Sequence, residues 1–128
     1  MYERLDRLES LDLLALGNVG QLVVTRDALP AAMPARYLVE EDRVLIHVFN
    51  SPDRVSWRDG DVVTLHVTTF DADQCQGWSV SVTGRAHGTP NLEGVREPPN
   101  APWIPDGGGD LLELVAELVE GERLSPQP

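Results

Sequence analysis

The chain has 128 residues, a formal net charge of −11 and a sequence isoelectric point near 4.5. This length supports one hydrophobic core, so we expect a single domain over residues 1–128. The negative charge repels nucleic-acid phosphates and anionic lipid, and no apolar run reaches the length of a membrane span. Nucleic acids and membranes are therefore excluded as expected partners.

The cellular compartment is predicted from the N-terminus and from cysteine usage. The opening residues, MYERLDRLES, carry charges from the third position onward and contain no apolar signal core. The one cysteine, Cys75, cannot form an internal disulfide and fits a reducing environment. We expect a cytoplasmic protein.

The N-terminal region has the spacing of an amphipathic helix. Leu5, Leu8, Leu11 and Leu14 recur at intervals of three residues, which predicts a helix over about residues 3–15. Gly17-Asn18 then provides a helix stop.

Three strands with tight connections follow in the sequence. The β-branched and apolar runs predict an antiparallel meander, with turns at 26–30 and 40–42. The predicted strands cover residues 19–25, 31–39 and 44–49.

Residues 60–86 show the clearest pattern in the chain. Apolar and polar residues alternate on both sides of a polar break at 71–76, which predicts two antiparallel strands joined by a loop. Gly77 and Gly84 flank the second strand, where we expect a backbone bend or a close approach of neighbouring chain.

The C-terminal third divides into a loop and an ambiguous segment. Residues 87–110 are rich in proline and glycine, which predicts a long irregular loop. Residues 111–124 have apolar residues on one helical face and contain good helix formers, so local propensity favours a helix, and a strand pair is the alternative.

These elements predict a mainly β fold. About six antiparallel strands with one N-terminal helix can close into a small barrel, which removes exposed sheet edges. A barrel of this size fills its interior with side chains, so a large cofactor would lie on the outside, against a second subunit.

Sequence motifs of catalysis are absent. The chain contains no phosphate-binding glycine loop, no nucleophile elbow and no zinc spacing. His47 and His66 occupy polar positions in strands where polar and apolar residues alternate, so the two side chains could share a face. Ordinary surface histidines explain this pattern more often than a metal site does.

Two arginines are candidates for binding a phosphate group. Arg36 lies in the second predicted strand, and Arg54 follows the third in a Ser-Pro-Asp-Arg turn. Guanidinium groups bind phosphate in a bidentate manner, but surface arginines paired with nearby acids fit the same pattern.

Several motifs resemble the FMN-binding split-barrel proteins of the pyridoxamine 5'-phosphate oxidase-like superfamily, in its small actinobacterial branch. The resemblance covers about residues 5–124. It includes Thr-Arg-Asp at 25–27, Pro-Ala-Arg-Tyr at 34–37, Ile-His-Val at 46–48, Gly-Trp-Ser-Val at 77–80 and Ala-Pro-Trp-Ile-Pro at 101–105.

The resemblance implies a fold, a cofactor and a set of site residues. It implies a homodimeric six-stranded split barrel that binds FMN at the subunit interface, with two short strands in 111–124 broken near Ala116-Glu117. The implied activity is that of a flavin-dependent oxidoreductase acting on a small-molecule substrate. The cofactor-binding residues it implies are Ala35, Arg36, Tyr37, Ile46, His47, Val48 and Arg54, with Arg54 on the phosphate.

Trp103 has two interpretations within the proline-rich segment. It either borders the cofactor site or fills a surface groove of its own subunit.

Two departures from the family pattern leave a second function open. Pro52-Asp53 removes an N–H donor and places a carboxylate beside the expected phosphate position, and the segment after Arg54 is shorter than in relatives. The alternative is a non-catalytic split-barrel homodimer that binds another small molecule or acts as an interaction module. A deazaflavin in place of FMN is also compatible with the sequence.

Overall fold

The computed structural model describes residues 1–48, 57–88, 90, 93, 95 and 110–126. One helix and eight strands lie in these ranges. They are β1 (Tyr2–Leu5), α1 (Arg7–Leu14), β2 (Val19–Arg26), β3 (Leu29–Glu40), β4 (Arg43–Val48), β5 (Val62–Asp71), β6 (Gln76–Gly88), β7 (Asp110–Val115) and β8 (Leu118–Leu124).

Six of these strands close into an antiparallel ring. The strands pair in the order β5-β2-β3-β4-β7-β6, and β6 also pairs with β5, which closes the ring. The first half of β6 pairs with β8, which carries β1 on its far side. The predicted six-stranded barrel is thereby confirmed, with β8 and β1 as an extension that branches from β6.

The tight turns of the meander are where the sequence predicts them. Arg26 pairs with Leu29 and Glu40 pairs with Arg43, so each connection has two residues. Asp27 and Ala28 both have positive φ, as two-residue hairpins with a type I′ geometry require. This turn matches the right-handed twist of the flanking strands.

The N-terminal helix is shorter than the leucine spacing predicts. Residues 2–5 form β1 because they pair with Leu124 to Gly121 of β8, a partner about 120 residues away in sequence. The Asp6 carboxylate accepts a hydrogen bond from the Glu9 backbone N–H at 2.8 Å and so caps the start of α1. The predicted start at residue 3 is wrong for this reason.

The ambiguous segment at 111–124 forms two strands. β7 ends at Val115 and β8 begins at Leu118, which confirms the break at Ala116-Glu117. Leu112 and Leu114 are fully buried while Leu111 is only partly buried. That alternation matches a strand that packs one side against the barrel core.

The predicted loop at 87–110 begins later than expected. His87 and Gly88 pair with β7 and belong to β6, and Asp110 belongs to β7. The rest of the segment lies outside the described residues apart from residues 90, 93 and 95.

The barrel interior is filled by aliphatic side chains and one tyrosine. The buried cluster draws on all six ring strands and on Leu14 of α1. A Cβ at Gly84 would overlap the Val115 carbonyl oxygen, and one at Gly77 would overlap that of Thr69. The predicted close approaches at both glycines are confirmed.

Candidate functional site

The residues of β3 and β4 divide between two sides of the sheet. Their side chains alternate, so that four predicted site residues, Ala35, Tyr37, Ile46 and Val48, belong to the buried core. Their assignment as cofactor-binding residues remains a prediction.

Arg36 and His47 point the other way, onto the outer surface of the barrel. They are direct partners in the β3–β4 ladder, and Val19 and Leu111 flank them on β2 and β7. Directly opposite residues have Cβ atoms about 5 Å apart. Arg36 is half-buried and His47 is only 4% exposed. The geometry therefore joins a guanidinium group and an imidazole at one place on the outside of the barrel.

Tyr37 is bound into the fold by its hydroxyl and its backbone. The hydroxyl donates to the Leu14 carbonyl oxygen at 2.6 Å, and the backbone N–H donates to the Asn18 oxygen at 3.0 Å. Burial raises the pKa of Tyr37 to about 12. Tyr37 thus joins the end of α1 to the barrel.

A second polar group lies on the outer face of the β5–β6 hairpin. His66 Nδ1 is 2.8 Å from Ser81 Oγ, and His66 Nε2 is 2.8 Å from Thr68 Oγ1. The Thr64 and Thr83 hydroxyls are also 2.8 Å apart. Either ring nitrogen can carry the proton, because a hydroxyl can donate or accept.

This hydroxyl network is separate from the Arg36–His47 pair. β2 and β3 lie between β5 and β4, a distance of about 14 Å at the usual strand spacing. The sequence predicts His66 only as a polar strand position, and the network was not predicted from it. The signal was the alternation of hydroxyl residues on both strands, combined with the hairpin register.

No group of three metal-ligating side chains occurs within the described residues. Cys75 is exposed at the hairpin turn, in a backbone conformation with a φ of 49°. Within the same ranges, no helix is long and apolar enough to cross a membrane.

Four further residues of the sequence analysis are not part of the described structure. Arg54 and Trp103, which the resemblance and the loop composition assign to the cofactor site, lie outside the described residues. The same is true of Pro52 and Asp53. Their roles remain predictions.

The chain is similar to several known proteins. It is 34% identical to Rv0080, an uncharacterized protein of Mycobacterium tuberculosis, over 94% of this chain and 84% of that protein. Its fold matches a FAD-binding protein of Mycobacterium smegmatis with a TM-score of 0.69 and 23% identity, over 96% of this chain and 98% of that one. It also matches a FAD-binding protein of Mesorhizobium loti with a TM-score of 0.72 and 18% identity, over 98% of each chain.

A sequence profile of one family covers most of the chain. The profile described as pyridoxamine 5'-phosphate oxidase matches residues 6–106, which include the barrel strands β2 to β6 and both Arg36 and His47. The protein therefore belongs to the pyridoxamine 5'-phosphate oxidase family.

Proposed function

We propose that this chain binds FMN on the outer surface of the barrel, beside Arg36 and His47, and acts as a flavin-dependent oxidoreductase on a small-molecule substrate. The observation that carries the proposal is the outward-facing Arg36–His47 pair in a barrel of this family. The resemblance of 34–37 and 46–48 to flavin-binding segments supports the same place.

The residues present fit the phosphate of a flavin in charge. A chain with a net charge of −11 repels an anionic phosphate, so a phosphate needs a local cation, which Arg36 supplies. His47, being buried, offers an imidazole in a place from which water is largely excluded. Arg54 is proposed as the main phosphate partner, with Arg36 assisting.

A flavin, when bound, would supply the hydride and electron transfer that amino-acid side chains cannot perform. The role of this chain would be to hold and orient it. The aliphatic core beneath β3 and β4 gives both strands a rigid support, which keeps Arg36 and His47 in fixed positions.

We also propose that two copies pair through the outer face of the sheet. The exposed side chains of Val62 and Leu118 border the hydroxyl network on this face. Apolar side chains around satisfied hydroxyls are suited to burial against a second copy. An isologous pair is the commonest arrangement of such small chains.

The flavin proposal is tested on protein purified without added cofactor. Bound flavin should give absorbance bands between about 350 and 500 nm, and chromatography of the released cofactor should distinguish FMN from FAD and from a deazaflavin. FAD is included because two similar structures are named as FAD-binding proteins.

A variant then tests the phosphate assignment. Arg54→Ala should weaken FMN binding by about 1.5–3 kcal/mol, the usual contribution of a charge-assisted hydrogen bond. Arg85→Ala removes an exposed arginine of β6 and should leave the titration unchanged. An unchanged titration for Arg54→Ala would remove Arg54 from the site.

The non-catalytic alternative is favoured by one sequence observation. Pro52-Asp53 takes a backbone donor from the expected phosphate position and adds a carboxylate there. A homodimer that takes up none of FMN, FAD and a deazaflavin would favour this alternative.

The homodimer is tested by sedimentation equilibrium. Thr64→Glu places a charge in the middle of the proposed contact face and should reduce the mass from a dimer to a monomer. Leu8→Glu introduces the same charge on the exposed side of α1 and should leave the dimer intact. A monomeric wild-type protein at micromolar concentration would contradict the proposal.

A further inference from the structure

A groove lies between helix α1 and the two-residue turn that joins β3 to β4. Its volume is about 500 Å³. Leu8, Leu11 and Ala15 line the side of the helix, and Val39 lines the side of the barrel. The spacing i, i+3, i+7 places the three helix residues in one stripe along α1. The groove therefore has an apolar floor about two helical turns long.

Helix α1 has apolar side chains beyond the side that it buries. Leu14 is fully buried, and so is Ser10, whose hydroxyl a Cβ at Gly121 of β8 would overlap. Leu8, in contrast, is 70% exposed. A surface helix of a globular protein normally carries one apolar stripe, which faces the core. After α1 has packed on the barrel, apolar area is thus left exposed in the groove, as at sites where a partner binds.

The groove lies away from the face through which we propose that two copies pair. Gly121, which Ser10 of α1 approaches closely, is the ladder partner of the core residue Val80 on β6. Consecutive strand residues point to opposite sides of a sheet, so Ser81 and the hydroxyl network lie on the other side of β6. A second copy bound to that face leaves the groove open.

The rim of the groove is acidic. Asp12, Glu41 and Asp42 supply three carboxylates, and the Asp42 side chain is 93% exposed. Among the described residues that line the groove, Arg7 is the one cation. Its Nη2 donates to the Ala116 carbonyl oxygen at 2.7 Å and lies 4.0 Å from the Asp42 carboxylate. Arg7 can therefore offset one of the three negative charges.

The acidic surface continues past the turn. A neighbouring hollow shares Glu41 and Asp42 with the groove and adds Glu40. The cation of that hollow, Arg43, is paired with Glu113 at 3.0 Å. A second copy of this chain in the groove would bring equal sets of carboxylates together, and such like-charge contacts suppress pairing. The charges therefore select a basic partner that differs from this chain.

We propose that the groove binds a basic amphipathic helix of another protein. Helices that bind in apolar grooves use side chains at i, i+3, i+4 and i+7, which is the spacing of the stripe on α1. Apolar side chains of the partner cover Leu8 and Val39, and its arginines or lysines lie beside Asp12 and Glu41. The site depends neither on flavin binding nor on the pairing of two copies.

The test is an NMR titration of the ¹⁵N-labelled protein with three synthetic peptides of equal length. The first carries leucines at helical spacing and arginines on its other side, the second has glutamate in place of each arginine, and the third has alanine in place of each leucine. The first peptide should give saturable shifts at the amides of residues 7–15 and 39–42. The other two should bind at least about tenfold more weakly, since each lacks one of the two complementary features.

A substitution in the apolar floor locates the contact. Leu8→Ala removes an exposed leucine of the groove and should weaken the first peptide about tenfold. Leu16→Ala is the matched control, because Leu16 is 79% exposed and does not line the groove. Its titration should equal that of the wild type.

A second pair of variants separates the rim from the general acidity of the chain. Asp12→Asn combined with Glu41→Gln should weaken the first peptide about fivefold at low ionic strength. Asp27→Asn combined with Asp73→Asn removes the same number of exposed carboxylates from other turns and should change the affinity less than about twofold.

Four results would overturn the proposal. The first peptide would give no saturable shift at these amides, or the glutamate peptide would bind as tightly. The two double variants would lose equal affinity, which would reduce the effect to net charge. The amides of 7–15 would respond to protein concentration and not to peptide, which would show that a second copy covers the groove. Because no flavin is added, a failure here leaves the flavin proposal unaffected.

Discussion

The two sides of strands β3 and β4 differ in what they offer. On the inner side, Tyr37 and Ile46 pack in the closed core. On the outer side, Arg36 and His47 stand opposite each other on the surface of the barrel. Neighbouring residues of one strand thus belong to two chemically different environments, a few ångströms apart.

This difference separates stability from binding along a single strand. Inner side chains stabilise the barrel by removing apolar area from water. The outer side chains of Arg36 and His47 lie outside the core cluster, and we propose that they contact the flavin. A substitution on one side should therefore change the free energy of unfolding, and its neighbour on the other side should change flavin affinity.

The largest expected effect is on the inner side. Ile46→Ala removes a fully buried side chain between β3 and β7 and should lower the free energy of unfolding by about 2–5 kcal/mol. Urea unfolding followed by circular dichroism measures this. Leu16→Ala, at a position 79% exposed just after α1, is the control and should change it by less than about 0.5 kcal/mol.

A pH experiment examines the inner side through Tyr37. Its pKa is about 12 in the folded protein against an ordinary value of 10.0, so the unfolded chain loses the proton first. The stabilising effect of the neutral hydroxyl is complete below pH 10 and is lost as the pH rises to 12. The loss should reach about 2–3 kcal/mol.

Tyr37→Phe isolates this contribution. At pH 8 the variant should be less stable by about 1 kcal/mol, because the Leu14 carbonyl oxygen loses its donor. Between pH 10 and 12 the wild type should lose stability and the variant should lose less. The ten basic residues are all arginines, so no lysine titrates in this window. Parallel stability curves for the two proteins would contradict the assignment.

On the outer side, Arg36→Ala should raise the dissociation constant for FMN about tenfold, which is about 1.4 kcal/mol of binding free energy. The free energy of unfolding should change little. Fluorescence quenching of the flavin gives the constant. Equal affinity for wild type and variant would place the phosphate elsewhere.

The smallest effect is expected in the hydroxyl network. Ser81→Ala removes one of the two hydroxyl partners of His66 and should lower stability by about 0.5–1 kcal/mol, because His66 keeps the Thr68 hydroxyl as its other partner. Thr25→Ala, at an exposed position of β2, is the comparison and should be close to neutral. A loss above 2 kcal/mol for Ser81→Ala would mean that the network is far more buried than its exposure indicates.

Local sequence patterns predicted the parts of the fold that depend on near neighbours. The alternation in residues 60–86 predicted which side chains of the hairpin enter the core, and the two-residue turns followed from short polar breaks. β1 was missed because its only described partner, β8, is at the other end of the chain. The C-terminal strands required the family resemblance, since leucine spacing alone favoured a helix.

The candidate site was predicted as segments rather than as side chains. The resemblance named three consecutive residues on each of two strands, and consecutive strand residues cannot all face one ligand. The alternation of core-facing and outward-facing residues on β3 and β4 singles out Arg36 and His47 as the outward-facing residues.

The most direct test of the central claim is an NMR titration of the ¹⁵N-labelled protein with FMN. The largest amide shifts should occur at 35–37 and 46–48, on the strands that carry Arg36 and His47. The amides of β1, which pairs with β8 outside the six-stranded ring, should not move. Saturating FMN that shifts β1 and leaves both strand segments unchanged, or that shifts nothing, would contradict the account.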